Sequence, residues 1–363
     1  MNKTIINIMT ISTMAWLGAM TNADACTGIT LHTLGGETVP ARTIEWAGND
    51  LESKYAIVPR GHKMQSMVPG GEMKGMTFAA RYGFVGLAVQ QPEFVVEGLN
   101  ETGLSAGLFY FPGCGEYEAY KPEDNARTVV DLQLVSWILS QFATIDEVKA
   151  AITEIRITNI DPRAGTVHWR ITEPNGKQVV LEIVGGKLQF FDSTATGVLT
   201  NSPGYEWHLA NLNNYVNLTT GVSQAHKLGG LELRSWGGGS GMHGLPGDMT
   251  PPSRFVRAAF FSLNAPVQAT PEKSVVQAFH ILNNFDIPTG IQFAPGDTVP
   301  DIPSATQWTV ASDLTNRRIY YRTMHNSTIR CFDLRSIDFG KVKYQWQPLD
   351  KVKAQPFEMI RVK

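Results

Sequence analysis

Cys26 stands directly after Ala23-Asp24-Ala25, and that juxtaposition offers two reactive groups on one residue. Cleavage after Ala25 would leave a first residue that carries a thiol nucleophile and a free α-amine. Such an amine titrates at about 7.7–8.0, so part of it is a neutral base near pH 7. A positive neighbour lowers that value and favours the thiolate. Arg42 can supply the charge, because a turn at Gly35-Gly36 would fold its strand back beside Cys26. A nucleophile, a base, an orienting group and donors for a tetrahedral oxyanion together make an amide hydrolase.

The segment before Cys26 supports that cleavage. Lys3 precedes an apolar run from Ile5 to Ala19, and a short polar stretch ends in the A-x-A pattern. Residues 1–25 read as a secretory signal peptide, which implies export to the periplasm or medium. The competing reading is a lipoprotein anchor. It wants Leu three positions before the cysteine and a small residue two before, where this chain has Ala23 and Asp24. The two readings exclude each other, since acylating the amine destroys the base.

Composition narrows the classes further. Among 363 residues, 43% are hydrophobic and 18% charged, which describes a folded globular chain. A net charge of −2 provides no basic stripe for nucleic acid. No apolar run beyond the leader reaches the ~20 residues of a membrane span. Three cysteines imply no disulfide framework; Cys114 and Cys331 are left to pair or to remain as buried free thiols. No HExxH or CxxC spacing points to a metal, and no cofactor is implied. His208, His243 and His325 are available for a papain-like triad, but none has a diagnostic context.

The elements that must position these groups are mainly strands. Apolar runs bounded by turn residues predict strands over Cys26–Thr33, Thr38–Trp46, Thr77–Val89, Gly165–Thr172, Gln178–Val184, Lys187–Phe191, Gln307–Asp313 and Arg318–Thr323. Asn175-Gly176 marks a hairpin. One helix shows a face of Val135, Ile138, Leu139 and Phe142. A second opens on the capping box Thr144-Ile145-Asp146-Glu147. Two more are expected at Ser253–Leu263 and at Pro271–Asn283, capped by Thr270. Gly229–Gly247 lacks the Lys-Ser/Thr ending of a phosphate loop and reads as a surface loop. The order predicts mixed α+β layers after residue 25, in a single domain over 26–363.

Cys26-Thr27 followed by Arg42-Thr43-Ile44-Glu45-Trp46 resembles the choloylglycine hydrolase family, which includes conjugated bile salt hydrolases and penicillin V acylases. Gly98-Leu99-Asn100-Glu101-Thr102-Gly103-Leu104, running into Phe109-Tyr110-Phe111-Pro112-Gly113, resembles a further family signature. So do Leu199-Thr200-Asn201-Ser202-Pro203 with Asn211 to Tyr215, and Leu245-Pro246-Gly247-Asp248 with Ser253 to Ala258. Thr306-Gln307-Trp308-Thr309 and Tyr320-Tyr321-Arg322-Thr323 are similar to its C-terminal strand pair. The segments occur in the family's order over nearly the whole chain after Ala25, which favours an enzyme over a lipid-anchored binding protein.

The resemblance implies an αββα sandwich of two antiparallel sheets, the N-terminal-nucleophile hydrolase fold, and often a homotetramer. It makes Cys26 the nucleophile, with its amine as proton shuttle, and Arg42 the stabiliser of charge at the nucleophile. Asn201 would hold the oxyanion and Arg254 complete the polar network. Glu45 stands where the family has aspartate and would orient the amine from one methylene further away. Tyr110, at a position where Asn goes with many bile salt hydrolases and Tyr with penicillin V acylases, would face substrate, as would its neighbour Phe109. Met64 and Met67, in a Met-rich loop stretch, suit an adaptable apolar pocket, although core filling accounts for them equally well. The implied substrate is a small-molecule amide: a bile salt conjugate, with penicillin V or an acyl-homoserine lactone as alternative. Glu116, Glu118, Glu123 and Asp124 would then have to point away from an anionic substrate.

Overall fold

A computed structural model describes residues 25–46, 49–161, 165–297 and 305–362; the segment expected to be a signal peptide lies outside them up to residue 24. Thirteen strands carry the architecture: β1 (Ala25–His32), β2 (Thr38–Trp46), β3 (Lys54–Val58), β4 (Phe84–Ala88), β5 (Val95–Asn100), β6 (Ser105–Tyr110), β7 (Val167–Thr172), β8 (Gln178–Val184), β9 (Lys187–Asp192), β10 (Ala305–Asp313), β11 (Arg318–Thr323), β12 (Asn326–Asp333) and β13 (Gln345–Pro348). They form two antiparallel sheets. One has five strands in the order β1-β2-β10-β11-β12; the other has eight in the order β9-β8-β7-β6-β5-β4-β3-β13.

Five α-helices cover them: α1 (Leu134–Gln141), α2 (Ile145–Ala151), α3 (Tyr205–Leu212), α4 (Pro251–Asn264) and α5 (Pro271–Leu282). Helices α4 and α5 pack on the outer face of the five-stranded sheet, and α1 packs on the eight-stranded one. The inner faces meet through β1, β2, β6 and β7, giving the αββα layering. Because both faces of these strands are covered, β1, β2, β6, β7 and β8 are buried almost residue by residue. That is why they read as continuous apolar runs in place of alternating ones.

Local signals hold where the chemistry is local. Thr144 Oγ1 accepts from the Glu147 amide, Thr270 Oγ1 accepts from the Lys273 amide, and Gly36 (φ 87°) completes the β1–β2 turn. The predicted strand 77–89 is divided: a short piece, Thr77–Ala79, is separated from β4 because the Arg81 and Tyr82 amides turn to donate to Ser140 O (2.8 and 2.9 Å). Within 229–247 the surface loop carries part of a small exposed hairpin, His226–Leu228 with Leu231–Leu233. Cys114 and Cys331 are both free, half-buried and exposed respectively, so neither is a buried thiol. Among the described residues no helix is long and apolar enough to cross a membrane.

Candidate active site

The β1–β2 hairpin sets the centre of the site through its register. Cys26 lies opposite Ile44, and Gly28 lies opposite Arg42, so these four residues share the face turned toward the other sheet. With no side chain at Gly28, the Arg42 guanidinium runs diagonally to the sulfur, where Nη2 donates to Cys26 Sγ at 2.8 Å. Nε donates to Thr43 O, Nη1 donates to the carbonyls of Val96 and Leu108, and the Phe109 ring lies 4.0 Å beneath the guanidinium carbon. Arg42 is wholly buried, so its direction is fixed by partners on both sheets.

Asn201 arrives from the other side of β1. Gly28 and Leu199 exchange backbone hydrogen bonds of 2.7 and 3.1 Å, docking the Leu199–Asn201 segment against the free edge of the strand. The Cys26 backbone N–H then donates to Asn201 Oδ1 at 2.9 Å, and Asn201 Nδ2 donates to Tyr110 O at 2.7 Å. An amide NH₂ has two hydrogens, so one is left for a developing oxyanion. Arg254, in the second turn of α4, reaches the same point. Its Nη2 donates to Asn201 Oδ1 (2.7 Å), and its Nη1 donates to Cys26 O (2.5 Å) and Thr27 Oγ1 (2.8 Å). Asp248, accepting from Thr250 and Ser253, and Met249 O, accepting from Arg254 Nε, hold the start of that helix.

Glu45 lies opposite Ala25 in the register, on the helix-facing side of β2. Its Oε1 accepts from Thr306 Oγ1 at 3.2 Å, and its buried Oε2 has no hydrogen-bond partner. Burial pushes its carboxyl up to about 7, against the opposing pull of Arg254 and Arg42. The Cys26 thiol is also pushed up by burial, while Arg42 is the strongest influence pulling it down and Glu45 works against the thiolate. With Ala25 attached, Cys26 is therefore covered, and its nitrogen is an amide with no basic lone pair.

The structure gathers Cys26, Arg42, Glu45, Asn201 and Arg254 into one buried cluster. The four residues expected at the substrate are placed differently from one another. Tyr110 is half-buried and meets half-buried Trp46 edge-on at 6.2 Å. Phe109 is fully buried as packing between Arg42 and Arg170. Met67 sits in the core with its amide donating to Gln133 Oε1, and Met64 is half-buried opposite Phe78. Of the acidic stretch, Glu116, Glu118 and Asp124 line a surface cleft with Arg127 and Arg156 that includes none of the Cys26 cluster.

Motif reading passed over the buried His168, Glu182, Glu97 and Arg170, and it named His208 only as an available imidazole. His208 Nε2 is 2.9 Å from Asn201 O, and His168 Nε2 is 3.1 Å from Thr200 O, so two imidazoles hold consecutive carbonyls of the Asn201 segment. Glu182 backs His168 Nδ1 at 3.2 Å. Burial lowers His208 to about 4, and with Nε2 on Asn201 O and Nδ1 without a hydrogen-bond partner it makes no hydrogen bond to Cys26. Glu97 and Arg170 lie beneath Arg42. One signal was present: a buried strand reading Val167-His168-Trp169-Arg170-Ile171 carries two polar residues that need partners.

The family model for linear amide C–N hydrolases, choloylglycine hydrolase family, matches residues 26–344. A bile salt hydrolase/transferase from Clostridium perfringens is 33% identical over 332 residues, covering 88% of this chain and 95% of that one. A penicillin V acylase from Pectobacterium atrosepticum is 24% identical over 326 residues, 83% of this chain and 78% of that one. Among solved structures, variants of the conjugated bile acid hydrolase from Clostridium perfringens superpose with a TM-score of 0.79 at 28% identity, covering 93% of this chain and 100% of theirs. One variant replaces a cysteine by alanine and another replaces an arginine sixteen residues further on, the separation of Cys26 and Arg42 here. The penicillin V acylase of Agrobacterium tumefaciens shares the fold at a TM-score of 0.69 and 21% identity, with 87% and 88% covered.

Proposed function

This chain belongs to the choloylglycine hydrolase family and is a hydrolase of linear amides; on that premise we propose that it is exported, cleaved after Ala25, and acts through Cys26 on conjugated bile salts. The observation that carries the reading is the convergence of Arg42 on Cys26 Sγ and of Asn201 and Arg254 on the Cys26 backbone. Cleavage would turn the Cys26 amide nitrogen into an amine already aimed at Asn201 Oδ1, and would remove the residue that lies opposite Glu45.

The steps follow from those positions. The thiolate adds to the substrate carbonyl carbon, and the oxyanion accepts a hydrogen bond from the remaining Asn201 Nδ2–H. The Cys26 α-ammonium gives its proton to the leaving nitrogen, the C–N bond breaks, and the amine product departs from a thioester. Water then adds to the thioester with the α-amine as base, and the acid leaves as the thiolate is restored. Glu45, on the side of β1 that Ala25 vacates, orients the ammonium.

Relatives that are bile salt hydrolases, matched over most of this chain, support the substrate class. A second reading, penicillin V or another acylated amine, is favoured by Tyr110 and its contact with Trp46. The test is parallel turnover of glycine conjugates, taurine conjugates and penicillin V by the processed enzyme and by Cys26→Ser. Wild type is expected to prefer the bile conjugates in kcat/KM, and Cys26→Ser to lose nearly all activity. A preference for penicillin V would overturn the substrate, and an active serine variant would overturn the nucleophile.

A further inference from the structure

Below the Cys26 sulfur lies a second charged layer that the steps above do not use. Arg170 rises from β7 across the gap between the sheets, and its Nη1 donates to Ile29 O (3.2 Å) and Ala41 O (3.1 Å) on β1 and β2. Its Nη2 is 3.5 Å from Glu97 Oε1, and Arg42 Nη1 is 3.8 Å from Glu97 Oε2. One carboxylate from β5 thus stands between two guanidiniums, with all three side chains buried. Two glycines clear the room for them. A Cβ on Gly28 would fall 2.9 Å from Arg170 Nη1, and one on Gly107 would fall 2.1 Å from Glu97 Oε2.

The layer does not close electrostatically by itself. Glu97 Oε2 has no hydrogen-bond partner, and its Oε1 receives only long contacts from Ser105 (3.4 Å) and Arg170. Two guanidiniums and one carboxylate leave one buried positive charge, an arrangement that costs free energy unless a further anion is near. Arg42, the guanidinium that touches the sulfur, is where that anion would stand.

We propose that Glu97 and Arg170 are positioning residues for the cysteine reaction: they hold Arg42 against Cys26 and set the net charge that a Cys26 thiolate balances. The inference rests on Cys26 being the nucleophile. Other groups face the sulfur from each neighbouring element: Arg254 from α4, Glu45 from β2 and the backbone of Tyr110 from β6. The substitutions below leave all of these in place.

The experiment follows alkylation of Cys26 by iodoacetamide against pH in the processed enzyme, read by mass spectrometry of its N-terminal peptide. In Glu97→Gln the Arg42 guanidinium keeps its bonds to the Thr43, Val96 and Leu108 carbonyls, so the lost negative charge decides the sign and the midpoint is expected to move down by roughly half a unit or more; Arg170→Met is expected to move it up by a similar amount. Midpoints that stay put while melting temperatures fall would overturn the proposal. The double variant, Glu97→Gln with Arg170→Met, keeps the net charge of the layer, so it serves if either single variant misfolds. Its kcat is expected to drop about tenfold or more at nearly constant KM, because Arg42 has lost its carboxylate; wild-type kcat would overturn the proposal. An active Cys26→Ser enzyme would instead remove the nucleophile reading on which this rests.

Discussion

Asn201 shows how much a single side chain can be asked to do here. Its Oδ1 accepts from Cys26 N and from Arg254, its Nδ2 donates to Tyr110 O, and its own carbonyl is held by His208. An amide with one remaining hydrogen and no freedom to rotate is preorganised for charge that appears only in the transition state. Asn201→Ala is therefore expected to lower kcat by roughly 10²–10³, about 2.7–4 kcal/mol, with little change in KM. Steady-state kinetics on the processed enzyme read this directly. A variant with normal kcat and about 1 kcal/mol less stability would reduce Asn201 to a turn former.

At the scale of elements, the site is made by a hairpin edge closed on one side and docked on the other. Strand β1 pairs along its length with β2, and the Leu199–Asn201 segment touches its outer edge at Gly28. The same glycine admits Phe109 and Arg170 from the opposite sheet: a Cβ there would lie 2.8 Å from Phe109 Cζ and 2.9 Å from Arg170 Nη1. Gly28→Ala should cost about 1–3 kcal/mol as overpacking and lower kcat as well, since Arg42 rests on the same ring. Urea unfolding and kinetics measured together test this. An unchanged denaturation midpoint would show that the sheets can part locally at no cost.

Over the whole molecule, ionisation of Glu45 couples the site to stability. Its folded-state value of about 7 lies above the ordinary 4.5, so folding favours the protonated form. Its contribution is complete below about pH 4.5 and is lost as pH rises through about 7. Asp131, also raised to about 7, acts in the same direction, whereas His208, lowered to about 4, favours folding as pH rises. Comparing Glu45→Gln with wild type cancels both. In the chain that still carries Ala25, the variant should match wild type near pH 4.5 and exceed its stability at pH 8 by on the order of 3 kcal/mol; the processed variant should lose activity. Denaturant titrations at the two pH values test it, and an equal difference at both would deny the buried ionisation.

Most of the site was legible because family motifs and short-range chemistry are written in consecutive residues. Cys26 after Ala25, the Gly35-Gly36 turn that returns Arg42, and the caps at Thr144 and Thr270 each depend on a few neighbours. Strand positions were also readable, since apolar runs bounded by turn residues mark them, but strands buried on both sides do not show their faces. The charged layer under Arg42 was not. Glu97 and Arg170 are separated by 73 residues, and only the packing of one sheet on the other brings them together. Likewise His208 had no diagnostic context in the sequence, and only the fold set it against Asn201 O. Sequence determined which residues could carry the chemistry and which strands held them. Tertiary structure decided which buried charges meet, because those energies depend on distance and exclusion of water between segments that the chain order leaves far apart.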